Sequence, residues 1–372
     1  VAIVARVLFV PYSVAGHVGP MLPVAAELSA RGEQVWMLAG GAFAEAIRER
    51  GATPVPLTAV PDVYVPDRLL GPGGLRYARG RMRRPRINRR AAAELHTTLL
   101  GTRPDLVVLD PMIGWADRVA TRAGVRSVLL STTFAATGTA LAEVSRLPAA
   151  VHRLRPMVRR VERDGRLVLA HTVPGLQPGH AKGIEVVGPL LGSLDEHARR
   201  EDRLLFVSPG TVFARGRRFF HDISGAFAGT DWRVLIATGH LDPASLGPLP
   251  PHVHAVRHVP QRTVLRRATV FLTHGGMNST LEAVAAGVPM IFAPRSAEQR
   301  YLARRWADRR AGVLLTAPRE ARHTAERLVA DPGVPPAIDY WRAELAARDG
   351  ARRAADLIAA AIPGRTSAGR AR

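Results

Sequence analysis

The chain has 372 residues, too many for one ordinary core and suited to two domains of roughly 150 to 200 residues each. A hydrophobic content of 47% with 22% charged residues is that of a globular protein, and the lack of cysteine excludes disulfides, thiolate metal sites and a cysteine nucleophile. The net charge of +21 is almost all arginine, Lys182 being the sole lysine, and aromatics are 5% and not interleaved with the arginines; no stacking platform is visible, so no nucleic-acid partner is expected.

Val4 to Val10 is a continuous apolar run of parallel-strand type. It is interrupted by Arg6, followed by Pro11 and lacks a charged leader or cleavage pattern, so a buried first strand and a cytoplasmic protein are expected. A helix is expected from about Pro20 to a stop at Gly32, leaving His17 in a loop at the carboxyl end of the strand. Open parallel sheets bind ligands at that edge. The plainer role for His17 is a hydrogen bond to the helix N-terminus.

Gln34 to Leu38 reads as a strand, Ala42 to Arg50 as a helix stopped by Gly51, and Pro54 to Leu57 as a third strand; this βαβ repetition gives an α/β class. Residues 58 to 90 lose periodicity and end in the arginine-dense RYARGRMRRPRINRR. A mobile acceptor-side lid or a solvated basic loop is expected there, with the arginines of 76–90 suited to an anionic surface. Leu106 to Leu109 is a strand ending at Asp110, followed by a helix from Ile113 to Ala123 and a strand from Ser127 to Leu130. Asp110 would either cap that helix or stand as a buried carboxylate at the same edge as His17, able to orient its ring. Residues 137 to 165 read as helical and basic, and short strands follow at Leu167–Ala170 and Ile184–Val187.

A linker is expected between Gly188 and Asp202, which divides the chain into domains at 1–192 and 193–337. Leu204 to Val207 opens a second α/β set and exits through Ser208-Pro209-Gly210-Thr211. Trp232–Ala237 and Val253–Val256 continue it, and Val270 to Leu272 ends in Thr273-His274-Gly275-Gly276, before a helix that begins near Asn278-Ser279-Thr280. A glycine turn feeding a helix N-terminus is an anion site, because the first amides lack partners, the dipole favours negative charge and glycine admits close approach. Val288 to Ala293 is the next strand and reaches Ser296–Gln299 on the same face; a helix at Arg300–Arg310, a strand at Val313–Leu315 and a helix at Arg319–Ala330 follow. One long helix, 338–361, is expected to return to the first domain, with 362–372 a disordered tail. No apolar run reaches the roughly 18 residues a membrane span needs.

HGGMNSTLEAVAAGVPM at 274–290, the later AEQ at 297–299, the upstream HVPQ at 258–261 and the N-terminal GHVGP at 16–20 resemble the family 1 nucleotide-sugar glycosyltransferases, most nearly the bacterial macrolide-type antibiotic enzymes. The resemblance implies a GT-B fold: two Rossmann-like domains with parallel sheets facing across a cleft, acceptor in the first and donor in the second. It implies that His274, Gly276, Asn278, Ser279 and Thr280 hold the diphosphate, with Ser208, Gly210 and Thr211 beside it. Glu282 would bind ribose, Val259 and Gln261 the base, and Glu298 and Gln299 the sugar hydroxyls. His17 would be the general base in an inverting transfer, with Asp110 orienting it. The implied donor is a UDP- or dTDP-sugar, with the AEQ ending tilting toward UDP-glucose-like donors, and the implied acceptor is a hydroxyl of a hydrophobic natural product such as a polyketide antibiotic.

The sequence contains no D-x-D motif, so no metal and no other cofactor is expected, and helix dipole, amides and His274 would balance the diphosphate. Two rival functions are a cell-wall lipid-intermediate GlcNAc transferase acting at the membrane and a non-catalytic basic nucleic-acid binder. Oligomeric state is left open.

Overall fold

A computed structural model describes residues 4–61, 63–68, 71–145, 148–179, 183–192 and 201–364. The chain divides into two compact units: Val1–Asp62, Arg79–Gly192 and Arg348–Arg372 form the first, and Val63–Ala78 with Ser193–Ala347 the second.

Up to residue 192 the elements are β1 (Arg6–Val10), α1 (Ala15–Ala30), β2 (Gln34–Ala39), α2 (Ala44–Glu49), β3 (Thr53–Pro56), α3 (Pro72–Thr102) and β4 (Leu106–Leu109). They continue with α4 (Gly114–Arg122), β5 (Ser127–Ser131), α5 (Gly138–Val144), α6 (Pro148–Val161), β6 (Val168–Ala170) and β7 (Ile184–Val186). The seven strands form one parallel sheet ordered β3-β2-β1-β4-β5-β6-β7. Alternation along β1 sends Val7 and Phe9 into a core with α1, and Leu8 and Val10 into a second core with Leu95 and Leu99 of α3 and Ala116 and Ala120 of α4. Both faces are therefore covered, as the continuous apolar run requires.

The second unit carries β8 (Leu204–Ser208), α7 (Arg217–Ala226), β9 (Arg233–Ala237), β10 (Val253–Val256), α8 (Gln261–Leu265), β11 (Val270–Thr273) and α9 (Met277–Ala285). After these come β12 (Met290–Phe292), α10 (Ala297–Ala307), β13 (Gly312–Leu314), α11 (Ala321–Ala330) and α12 (Val334–Ala346). Its six parallel strands run β10-β9-β8-β11-β12-β13. Both sheets are thus Rossmann-like, with the strand order reversing between β1 and β4 in one and between β8 and β11 in the other.

Four expectations need correction. Helix α3 runs through much of the stretch read as an irregular loop, so most of the arginines of 76–90 project from a helix. Arginine is a good helix former, and once Ala91, Leu95 and Leu99 are anchored on the sheet each further residue adds a hydrogen bond at little cost. Helix α1 starts at Ala15, not Pro20, and contains Pro20 and Pro23. A proline ring crowds the carbonyl four residues earlier, and those positions are Gly16 and Gly19, where the backbone can yield. Helix α10 starts at Ala297, not Arg300, on a Ser296–Gln299 capping box.

The single helix expected over 338–361 is two. Asp349 starts a new helix, α13 (Gly350–Ala361), by accepting from the Arg352 amide. Only α13 belongs to the first unit, where Ala354, Ala355, Ile358 and Ile362 join the core that holds α1, while α12 packs on α9. Most of the expected linker, 193–200, and the tail from 365 lie outside the described residues. Among the described residues no helix is long and apolar enough to cross a membrane.

Candidate active site

In the first unit the switch between β1 and β4 brings His17 and Asp110 together. Val10 and Leu109 are paired across the two strands, and the Asp110 amide donates to the Val10 carbonyl at 3.2 Å. His17, in the first turn of α1, places Nδ1 2.6 Å from Asp110 Oδ2. The Asp110 side chain is 1% exposed and that of His17 25%, so the carboxylate is enclosed while the ring reaches solvent. Asp110 Oδ1 accepts from the Met112 amide at 2.8 Å, which braces the turn, whereas α4 begins later with no side-chain cap. Thr132, just past β5, sets Oγ1 2.9 Å from the same Nδ1.

A carboxylate accepts, so this contact puts the proton on Nδ1 and the ring's lone pair on Nε2. Tyr12 meets the His17 ring edge-on with centroids 5.4 Å apart, and Arg84 of α3 donates to its hydroxyl at 2.8 Å. Burial pushes the Tyr12 phenol up; Arg84 opposes this and Asp110 adds to it. Such an arrangement is chemically able to act as a base toward a hydroxyl.

In the second unit the switch lies between β8 and β11, where Ser208 and Thr273 are paired. His274 follows directly and lies between two glycines. A Cβ on Gly210, whose φ is +82°, would sit 2.7 to 2.9 Å from the imidazole, and one on Gly276 would sit 2.5 Å from Nε2. Although part of the residue touches solvent, burial of the ring lowers the His274 pKa to about 4; the Ser208 carbonyl, which accepts from it, opposes this and Arg215 reinforces it. His274 is therefore a neutral ring at physiological pH. No side chain caps α9, whose N-cap is Gly276.

The remaining expected residues divide by what they touch. Gln261, at the start of α8, donates to Glu282 Oε2 at 2.7 Å and to Ser279 Oγ at 3.3 Å, which joins the expected base and ribose positions. Burial pushes the Glu282 carboxyl up, with Gln261 and Arg262 opposing. Thr280 is fully buried, its hydroxyl donating to the Met277 carbonyl and its amide to Gly276, so it shapes the turn and points no donor outward. Gln299 Oε1 accepts from the amides of Arg295 and Ser296, holding the loop before α10, and Glu298 follows the N-cap in its first turn. Asn278 lies in the first turn of α9, and Val259 sits half-buried in the loop before α8. Thr211 is exposed and its carbonyl accepts from His240 Nε2 at 2.7 Å.

Sequence reasoning missed Thr132, Tyr12 and Arg84. Thr132 was findable, since Ser131-Thr132-Thr133 ends β5, which lies next to β4 in the sheet. The Arg84 contact was not, because it depends on α3 being a helix.

Residues 223–351 match the family model described as erythromycin biosynthesis protein CIII-like, C-terminal domain. The chain is 30% identical to oleandomycin glycosyltransferase of Streptomyces antibioticus over 397 aligned positions, covering 94% of this chain and 89% of that protein. It is 35% identical to NDP-glycosyltransferase YjiC of Bacillus licheniformis over 162 residues, which span 42% of this chain and 41% of the length of that relative. Among solved structures, the glycotransferase of kitacinnamycin superposes with a TM-score of 0.78 at 26% identity, over 97% of this chain and all of the other.

Proposed function

The chain belongs to the bacterial antibiotic glycosyltransferase family that includes oleandomycin glycosyltransferase, and from that premise we propose that it moves a hexose from a UDP- or dTDP-sugar to a hydroxyl of a hydrophobic natural product. What supports this reading most is the 2.6 Å contact between His17 Nδ1 and the buried Asp110 carboxylate. The acceptor hydroxyl gives its proton to His17 Nε2 as its oxygen attacks the anomeric carbon. The bond from that carbon to the diphosphate oxygen breaks, the nucleoside diphosphate leaves with the electron pair, and the centre inverts. Asp110 stabilises the imidazolium that forms, and base assistance of this kind contributes about 10² to 10⁴ in rate.

The donor is assigned to the second unit. The uncapped N-terminus of α9 meets the diphosphate, with Gly210 and Gly276 making room for the His274 ring. Glu282, held by Gln261, takes the ribose hydroxyls, and Glu298 and Gln299 the sugar. Neutral His274 adds shape and a polar ring, not a positive charge.

Incubation with UDP-glucose and a set of dTDP-sugars, together with hydroxylated polyketide aglycones, tests the proposal. Release of nucleotide that depends on acceptor, with a product of inverted anomeric configuration by NMR, is expected. No transfer from any nucleotide sugar, combined with tight salt-sensitive DNA binding, would overturn it.

A further inference from the structure

The loop that follows β8 is completed by a distant piece of the chain. Val65, in the segment 63–68, pairs in parallel with Phe213: its amide donates to the Val212 carbonyl and its carbonyl accepts from the Ala214 amide, both at 2.9 Å. Tyr64 meets His240 edge-on at 5.0 Å, and the Arg76 guanidinium lies 4.5 Å above the Tyr64 ring. This pairing delivers Asp67 into an ion pair with Arg295, the residue before the N-cap of α10. Arg295 also donates to the carbonyls of Pro66 at 3.1 Å and Asp67 at 3.4 Å.

Arg215 lies beside this pair. Burial, with the charge of Arg295 adding, lowers its guanidinium pKa to about 10, and Asp67 opposes. One terminal nitrogen donates to the Ala293 carbonyl at the end of β12, the group stacks 4.4 Å above the Phe219 ring, and Nε is buried with no hydrogen-bond partner among the described residues. Two guanidiniums thus lie within electrostatic reach of one carboxylate, which ion-pairs with Arg295, and the buried Arg215 Nε is a donor unmet among the described residues. Gly216, the N-cap of α7, faces the same carboxylate so closely that a Cβ there would lie 2.9 Å from Asp67 Oδ2. The charge on Arg215 is also felt by His274, so the cluster lies within electrostatic reach of the loop assigned to the diphosphate.

We propose that Arg215 and Arg295 form an anion site for the donor substrate, filled by the Asp67 carboxylate when no donor is bound, from which an oxyanion of the donor displaces it. The inference rests on the nucleotide-sugar reading above. An arginine fork suits phosphate and carboxylate alike, so the displacing group is either the diphosphate or the carboxylate of a hexuronate sugar. Asp67 competes with it, and the apparent affinity falls by the fraction of molecules in which the site is open.

Titration calorimetry on the full chain tests this with inorganic pyrophosphate, UDP, UDP-glucose and UDP-glucuronate, using wild type, Asp67→Asn and Arg295→Met, each checked for an unchanged melting temperature. Asp67→Asn is expected to tighten binding about tenfold, as for a site open in roughly one molecule in ten, and Arg295→Met in that background to abolish the gain. A gain shared by pyrophosphate and UDP assigns the site to the diphosphate; a gain confined to UDP-glucuronate assigns it to a sugar carboxylate. Equal affinities of wild type and Asp67→Asn for every probe would overturn the inference and make the pair a structural staple. If wild type transfers sugar while Asp67→Asn gains nothing, this inference fails and the glycosyltransferase reading stands. If pyrophosphate binding tightens while no nucleotide sugar binds, the anion site stands and the donor reading fails.

Discussion

Two histidines stand at the strand-order switches of the two units, on opposite strands of the switch, and have opposite surroundings. His17 follows β1 and His274 follows β11, each beside the point where its sheet reverses strand order. His17 has a buried carboxylate 2.6 Å from Nδ1 and a ring that reaches solvent. His274 has glycine backbone on two sides and the Ser208 carbonyl as partner; burial, with the Arg215 charge adding and Ser208 opposing, keeps it neutral down to about pH 4. A carboxylate partner prepares an imidazole to gain a proton, and burial beside an arginine prevents it. The neighbour decides the role, not the topology.

The comparison breaks most sharply if Asp110 is changed. Asp110→Asn keeps the shape but no longer fixes the Nδ1 proton, and transfer should fall by at least about 10² with nucleotide affinity unchanged, measured by steady-state kinetics beside calorimetry. A loss of nucleotide affinity would mean that the two units do not divide the work in this way.

Glu282→Gln should show the reverse pattern, with nucleotide binding weaker by about tenfold or more and turnover at saturation largely kept. The folded-state pKa of Glu282 is raised, so its contribution to stability is present below the unfolded value and is lost as pH rises through the folded one. The same variant should therefore melt higher than wild type at neutral pH without nucleotide.

Gly276→Ala places a Cβ 2.5 Å from His274 Nε2. It should cost about 1 to 3 kcal/mol in denaturant unfolding and weaken nucleotide binding. The smallest effect is a pH dependence. With its folded pKa lowered to about 4 from an ordinary value near 6.5, His274 contributes stability above pH ~6.5 that is lost as pH falls toward 4. Melting temperature against pH should fall less steeply across that window in His274→Gln, provided the variant folds.

How much of this was legible in the sequence follows from what each feature depends on. Continuous apolar runs such as Val4–Val10 and Val270–Leu272 announce strands buried on both faces, and the glycine turn after β11 announces a helix N-terminus. His17 and Asp110 were findable because both end strands on one edge. Helix α3 was not, since an arginine-rich stretch has no apolar period and takes its helical state from an anchor downstream. The start of α10 was signalled by Ser296 and Gln299, whose reciprocal bonds are a capping box. Nothing local pairs Asp67 with Arg295, which lie 228 residues apart and meet only because Val65 joins the loop after β8.

The central claim is that His17 takes the acceptor proton while the second unit holds the donor without it. His17→Ala tests this most directly, with UDP-sugar affinity by calorimetry and transfer by product formation measured on one preparation. The account predicts wild-type affinity and transfer lowered by about 10² to 10⁴. Transfer at the wild-type rate would contradict it.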